Sequence, residues 1–557
     1  MNIGTIVQTR MGSVRLPGKI LKEISGKPLL VHCLDRIKQS KNHGRLIVAT
    51  TRNSSDDVIE KLCKINKIKC YRGSEEDVLD RYYQAALENK IDVIVRITSD
   101  CPLIDPFLID TLIDIFFSEP RLDYVSNTSP IRSFPRGFDI EVISFRALEK
   151  AWQEDKNIEW REHVTPYIRS NPEIFRSINV VDNEDNSNIR LTVDTHEDLA
   201  FLRKLFDLIN VDQLDYRKIT QLLLKNDHLL NINIHIKHKV VLKKAPKTPV
   251  PVINIKRYKK ELPIVLGTAQ LGEPYGISNK VGVPDKVEIE NIIKAAHDHG
   301  IRMYDTAQAY GESEKNIGHA IKTLNLKNKV KIVTKIDPTL SFQNVDAILK
   351  LLCESVRMLN VPKVHTLMIH NPKWLDYQTD AIKMTLEKIK ELNMNKYFGV
   401  SVYTREEAVK AIESNLFDVI QLPANIFDNR FKKAGLISEA QKAGMHVYIR
   451  SIFLQGVFFL KPENVTIELG NCVRALNEIK ESLGLTIPEL VFLYMTREYP
   501  HCYLIFGAES VEQVLQNIGA FNKESSGKIN FDQINNYFDN IDEKLINPSL
   551  WKKVDVL

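Results

Sequence analysis

Short runs of β-branched and apolar residues alternate with longer amphipathic runs from one end of the chain to the other. The early strand-like runs are IGTIVQ (3–8), RLIVATT (45–51), DVIVRIT (92–98), YVSN (124–127) and IEVIS (140–144), with LTVDT (191–195) as the last of the series. Between the early ones, LLVHCLDRIKQS (29–40) and SDDVIEKLCKIN (55–66) repeat their apolar residues at helical spacing, and HEDLAFLRKLFDLI (196–209) does so after the last. Strand, helix and strand in repetition predict an α/β domain built on a mainly parallel sheet.

The pattern breaks near residue 237. KHKVVLKKAPKTPVPVINIKRYKKELP is basic, carries four prolines and keeps no helical period. It divides the chain into a first domain (1–237), a linker (238–262) and a second domain (263–557). A competing reading makes VPVINI an edge strand beside a basic loop.

Beyond it the strand and helix signals resume eight times: IVLGTAQ (264–270), RMYDTAQ (302–308), VKIVTKI (330–336), VHTLMIHN (364–371), YFGVSV (397–402), VIQLPAN (419–425), HVYIRSIF (446–453) and YLIFGA (503–508). Amphipathic runs such as VEIENIIKAAHDHG and NVDAILKLLCESVRML separate them. Eight βα units in about 290 residues fit a (β/α)8 TIM barrel.

Composition adds mostly exclusions. The 76 basic and 71 acidic residues leave a net charge of +5 over 557 residues, too mild to suggest a nucleic-acid or membrane-surface partner. The seven cysteines are odd in number and form no CxxC pair, which speaks against a disulfide framework or a zinc site and for a reducing, cytoplasmic setting. The N-terminus lacks signal-peptide features, and no apolar run approaches the roughly 18 residues of a membrane span.

Candidate chemistry lies in two places. After the first strand, QTRMGSVRLPGKIL sets Arg10, Arg15 and Lys19 among Gly12, Ser13 and Gly18. Small residues let backbone N–H groups approach an anion that the cations neutralise, and a triphosphate fits. This is no Walker loop, because Ile20 stands where Ser or Thr should bind magnesium. RITSDCPLIDP puts Asp100 just past an apolar strand, and LTVDTHEDL puts Asp194 at the end of another. Two such carboxylates can share a hard cation such as Mg2+. Singly, Asp194 also reads as a helix start and Asp100 as a turn residue.

Taken together, QTRMGSVRLPGK, RGSEEDVLDRY, RITSDCPLIDP, REHVTPYI and LTVDTHEDL resemble the spore-coat-polysaccharide-type cytidylyltransferases and their Kdo- and sialic-type relatives, over residues 1–210. The resemblance implies a nucleotide-diphospho-sugar-transferase-like fold with a mixed, mainly parallel sheet and flanking helices. It implies that Arg10, Ser13, Arg15 and Lys19 bind CTP and that Asp100 and Asp194 bind Mg2+. A substrate hydroxyl would attack the α-phosphate and pyrophosphate would leave. Glu141, Arg161 and His163 are weaker candidates for the acceptor side.

In the second domain Asp305 ends the second barrel strand, Tyr310 follows in its loop, Lys335 ends the third strand and His370 the fourth. All four fall at the C-terminal face, where barrel active sites lie. Adding hydride to a carbonyl builds charge on oxygen, so a proton donor must stand beside it. An ammonium beside the tyrosine is expected to lower the tyrosine's pKa, a carboxylate to hold the ammonium, and the histidine to orient the carbonyl. This quartet resembles that of the aldo-keto reductase family, over residues 262–520. The resemblance implies NADP or NAD as cofactor, with Gly267 and Thr268 beneath the nicotinamide ribose and Ser401 and Gln421 on the carboxamide. Gly507, Ser510, Gln513 and Asn517 would hold its phosphate and adenine end. Two residues depart from the pattern: Arg450 stands where an aromatic residue often stacks on the nicotinamide, and Glu509 where an NADP-binding member often carries a cation.

The expectation is therefore a bifunctional enzyme. It transfers a cytidylyl group from CTP to a sugar, with a sugar acid favoured, and reduces a carbonyl (or runs the reverse oxidation) in the same surface-glycan pathway. The alternatives are a CDP-alditol-type synthase that reduces a keto sugar first, and a transferase whose barrel only binds. Partners are CTP and small sugars, with a homo-oligomer left open.

Overall fold

The computed structural model describes residues 1–208, 214–236, 248–256, 258, 261–279, 282–523, 529–539 and 541–551. The chain divides into two compact units, Met1–Lys260 and Glu261–Leu557.

The first unit contains β1 (Ile3–Gln8), β2 (Glu23–Ile24), β3 (Lys27–Pro28), β4 (Arg45–Thr51), β5 (Lys69–Gly73), β6 (Val93–Thr98), β7 (Tyr124–Ser126), β8 (Glu141–Ser144), β9 (Ser177–Val181) and β10 (Val252–Asn254). β2 and β3 form a small hairpin, and the others make one sheet ordered β10-β9-β7-β8-β6-β1-β4-β5. Within it only β8 runs antiparallel to its neighbours β6 and β7. The continuous apolar runs are explained by burial on both faces. Val7, Val48, Val93 and Val95 enter one core, while Ile6, Ile47 and Ile94, one residue out of phase, enter the other.

Three features differ from the sequence reading. LTVDT is not a strand: only Arg190 makes an isolated bridge, to Arg136, and the Val193 N–H donates to the Asp100 carbonyl at 3.0 Å. Its backbone is tied to the Asp100 loop rather than to a ladder. β5 and β9, short and partly polar, carried too little periodic signal to be found. Within the expected linker, Val252–Asn254 pairs in parallel with β9 as the sheet edge, as the competing reading of VPVINI had it, so this part belongs to the first unit. Most of the rest of that stretch, including 238–247, lies outside the described residues.

The second unit closes β11 (Ile264–Gly267), β12 (Met303–Asp305), β13 (Lys331–Lys335), β14 (Val364–Ile369), β15 (Asn395–Ser401), β16 (Val419–Pro423), β17 (His446–Arg450) and β18 (Tyr503–Gly507) into a barrel. All eight fall within the runs read from sequence, give or take a residue or two. Each strand sends an apolar residue into the barrel interior: Val265, Met303, Val333, Met368, Tyr397, Val419, Tyr448 and Ile505, with Tyr503 packed against them. The out-of-phase Leu266, Tyr304, Ile332, Leu367 and Ile420 pack outward in the core that includes the surrounding helices. Side chains two residues beyond an interior one share its face, one layer nearer the C-terminal rim. Asp305, Lys335, His370, Gln421 and Arg450 all stand in that relation to an interior residue. Among the described residues no helix is long and apolar enough to cross a membrane.

Candidate active sites

The first cleft opens at the C-terminal ends of β1 and β6, where the chain leaves β1 for one side of the sheet and β6 lies on the other. Its volume is about 310 Å3, and Arg10, Gly12, Ser13, Arg15, Lys19, Asp100, His163 and Asp194 line it. Gly18 takes a left-handed φ of 64°, which turns the chain so that Lys19 points inward. Its Nζ lies 3.1 Å from Asp100 Oδ2, 2.8 Å from Asp194 Oδ1 and 2.9 Å from the Val193 carbonyl. Arg15 and Arg190 reach Asp194 Oδ2 at 3.1 and 2.6 Å. Burial by itself would raise the Asp194 pKa; Lys19, then Arg15 and Arg190, outweigh it and bring it to about 2. Burial likewise disfavours the Lys19 ammonium, and Asp100 and Asp194 overcome that and raise its pKa.

Asp100 and Asp194 thus converge on one cationic point, as the sequence reading required of a metal pair. The donors are all oxygens, which suits Mg2+. Among the described residues no third His, Cys, Asp or Glu joins them. A metal there would complete its shell with water and phosphate. The structure places Lys19 between the two carboxylates, in the same cleft as Arg10, Ser13 and Arg15.

Two braces escaped the sequence reading. Asp56 accepts from the Met11 N–H at 2.9 Å and from the hydroxyls of Thr50 and Thr51 at 2.8 and 2.6 Å, tying the basic loop to the end of β4. Arg190 binds the buried Asp198 at 2.8 Å while it holds Asp194. Their segments, RNSSDD and HED, fall at the starts of the helices Asp57–Ile65 and His196–Leu208. Of the acceptor-side residues only His163 lines the cleft. Glu141 is buried and bonded to Arg96, Tyr124 and Thr165, and Arg161 holds Asp77 at 2.8 Å and two backbone carbonyls. Both are occupied in holding the fold.

The second cavity, of about 520 Å3, sits at the C-terminal mouth of the barrel. Lys335, 1% exposed, donates to Asp305 Oδ2 at 2.7 Å and to the Thr306 carbonyl at 2.9 Å, and Gln421 Nε2 donates to Asp305 Oδ1 at 2.8 Å. The Lys335 ammonium lies 4.9 Å from the Tyr310 ring centroid, and the Tyr310 and His370 rings meet edge-on at 5.9 Å. The quartet is assembled, but its electrostatics differ from expectation. Burial, then Asp305, push the Tyr310 pKa above its ordinary value, with Arg450 opposing. Burial, then Lys335 and Arg450, take the His370 pKa down to about 4, so the imidazole is neutral at pH 7. Its Nδ1 is buried without a partner among the described residues.

Gly267, Thr268, Gly507, Gln513 and Asn517 line this cavity together with Asp305 and Tyr310. Asn517 Oδ1 is buried and accepts no bond among the described residues, an orphaned acceptor that fits a ligand amino group. Ser401 and Gln421 are buried and do not line the cavity. Ser510 caps the helix Val511–Phe521, its Oγ accepting from the Gln513 N–H at 3.3 Å. Ser313 was missed: its hydroxyl, fully buried, donates to the Thr268 carbonyl at 2.9 Å and lies 3.0 Å from the Thr306 hydroxyl, locking the first two strand ends together. The loop after β17 also carried no signal. Ser451, Leu454 and Gln455 all have left-handed φ (62°, 47° and 53°), strain of a kind that collects at ligand sites.

Comparison with known proteins agrees with both halves. Residues 5–233 match the family model described as cytidylyltransferase, and residues 263–536 match that of the aldo/keto reductase family. An uncharacterised protein of Methanocaldococcus jannaschii is 42% identical over 43% of this chain and 97% of its own length. The spore coat polysaccharide biosynthesis protein SpsF of Bacillus subtilis is 35% identical over 36% of this chain and 85% of its own. A 3-deoxy-manno-octulosonate cytidylyltransferase of Trichlorobacter lovleyi is 34% identical over 22% of this chain and 48% of its own. The chain therefore belongs to the cytidylyltransferase family in its first unit and to the aldo/keto reductase family in its second, a nucleotidyltransferase fused to an oxidoreductase.

Proposed function

We propose that the first unit transfers the cytidylyl group of CTP to a sugar, a sugar acid in the favoured reading, with release of pyrophosphate. The observation that carries this is the convergence of Asp100, Asp194, Lys19 and Arg15 at the strand ends. Asp100 and Asp194 would hold Mg2+, which supplies charge neutralisation at the phosphates. Arg10, Arg15 and the Ser13 loop face the triphosphate, with Lys19 released to it from the carboxylates. The names of SpsF and of the octulosonate enzyme support a surface-glycan sugar as acceptor.

The second unit reduces a carbonyl at the expense of NADH or NADPH. The nicotinamide supplies hydride when bound. Tyr310, kept protonated by its raised pKa, gives its proton to the carbonyl oxygen; neutral His370 orients that oxygen; Lys335 and Asp305 fix the floor beneath them. Glycine at 267 and 507 and the orphaned Asn517 acceptor support cofactor binding along one wall. Both activities act on small molecules, in the cytoplasm by the reading of the cysteines.

One experiment addresses both sites. The full chain is given CTP, Mg2+ and a panel of sugar acids and alditol phosphates, and pyrophosphate is measured; in parallel NAD(P)H oxidation is followed with carbonyl substrates. Asp100→Ala should abolish pyrophosphate release and spare the reductase. Tyr310→Phe should slow reduction by about 10²–10⁴-fold and spare the transferase. Unchanged rates in either variant would remove that residue from its role.

A further inference from the structure

We propose that Arg450 is the anion-recognition residue of the barrel, so that the carbonyl substrate carries a carboxylate or phosphate close to the carbonyl that is reduced. This deepens the reductase reading and rests on it. Arg450 ends β17 two residues beyond the interior Tyr448, so its side chain rises into the cavity that Asp305 and Tyr310 also line. It is close enough to both Tyr310 and His370 to act on their protonation.

Its own bonding gives it no direct carboxylate partner, although its charge acts on the buried Asp428. The guanidinium lies 4.2 Å from the Tyr403 ring centroid, stacked over that ring, and Nη2 donates to the Val402 carbonyl at 3.2 Å. Nε is buried with no acceptor, and Arg450 makes no ion pair among the described residues. The other cation at this mouth, Lys335, is already paired with Asp305. The stack on Tyr403 and the bond to Val402 hold the guanidinium in place without pairing it to a carboxylate. A buried donor left unsatisfied on a charge with no direct partner costs free energy unless a ligand completes it. A carboxylate or phosphate would do so through charge-assisted bonds, with the planar guanidinium suited to two at once.

With such a substrate seated, hydride from NAD(P)H adds to the carbonyl carbon as the C=O π bond breaks. The Tyr310 hydroxyl protonates the oxygen. The products are a hydroxy acid or hydroxy phosphate and NAD(P)+, and the tyrosinate regains its proton from water. Arg450 touches the anion and not the reacting atoms.

The test uses the full chain and paired substrates. Succinic semialdehyde is compared with butyraldehyde, and glyceraldehyde 3-phosphate with glyceraldehyde, each with NADH and NADPH. The wild type should favour the charged member of at least one pair by about 10–100-fold in kcat/KM, the worth of one charge-assisted pair. The favoured pair tells carboxylate from phosphate. Arg450→Met should bring that ratio to near one, and Arg450→Lys should restore part of it. NAD(P)H affinity, read by fluorescence quenching, should be similar in all three proteins. A wild-type ratio near one in both pairs, or a ratio that survives Arg450→Met, overturns the proposal. So does a loss of cofactor affinity in Arg450→Met with the ratio intact, which would assign the guanidinium to the cofactor's phosphates. Should no carbonyl be turned over, the reductase reading fails on its own. Calorimetry with succinate and inorganic phosphate then decides on Arg450: binding by the wild type and not by Arg450→Met upholds it, and no binding overturns it.

Discussion

Replacing Asp305 by asparagine tests the buried pair at the centre of the barrel. The side chains of Asp305 and Lys335 are 7% and 1% exposed and 2.7 Å apart. The amide oxygen introduced by Asp305→Asn can still accept from Gln421, but the new NH2 group then faces the Lys335 ammonium, donor against donor. Lys335 keeps only the Thr306 carbonyl and loses its countercharge. Breaking a buried pair from one side costs about 3–5 kcal/mol. For a unit of this size about 2–3 °C accompany each kcal/mol, so Tm should fall by about 6–15 °C. The stranded lysine relieves itself by losing its proton, so its folded pKa drops below the unfolded value of about 10.4. A group whose neutral form is favoured by folding binds fewer protons folded than unfolded, so stability rises with pH. The deficit should therefore shrink between pH 7 and about 10. Calorimetry of the full chain gives the readout. If the two units fold independently, one transition moves and the other stays. Adding Lys335→Met should recover part of the loss, since no charge is then buried alone. A deficit under about 1 kcal/mol, or one constant with pH, would refute the view of Lys335 as a charge held by Asp305.

The other expectations concern charge at the two mouths. Asp194, held down to about 2 against burial by Lys19, Arg15 and Arg190, stabilises the first unit fully above its unfolded value of about 3.9. That contribution should disappear as pH falls from about 4 toward 2, and Asp194→Asn should flatten the acid limb of the unit's stability curve; an unchanged limb would contradict it. Glu509 lines the cofactor cavity, and Glu288 accepts from the Val511 N–H at 3.2 Å at the adjoining helix start, so two carboxylates would face a 2′-phosphate. NADH should therefore be favoured over NADPH, and Glu509→Lys should shift the ratio of their kcat/KM values toward NADPH by about tenfold or more; a wild-type preference for NADPH would contradict this.

Local pattern alone determined the elements that carry the chemistry. Short, near-continuous β-branched runs set between longer amphipathic ones read as strands covered on both sides, so the barrel strands and the main strands of the first sheet were legible, and with them the placing of Asp100, Asp305, Lys335 and His370 at strand ends. Short, half-polar pairings such as β5 and β9 were decided by neighbours distant in sequence, which no local period records. The same holds for how charges pair. That Lys19 lies between Asp100 and Asp194, 81 and 175 residues away, or that Gln421 braces Asp305 across 116, depends on side chains converging from separate strands. Protonation followed that convergence too: a lysine beside a tyrosine in the motif suggested an acidic phenol, yet burial and the Asp305 countercharge raise Tyr310 instead. Sequence names the ionisable groups; a group's pKa and its partner depend on depth and distance, which exist only once the chain has folded.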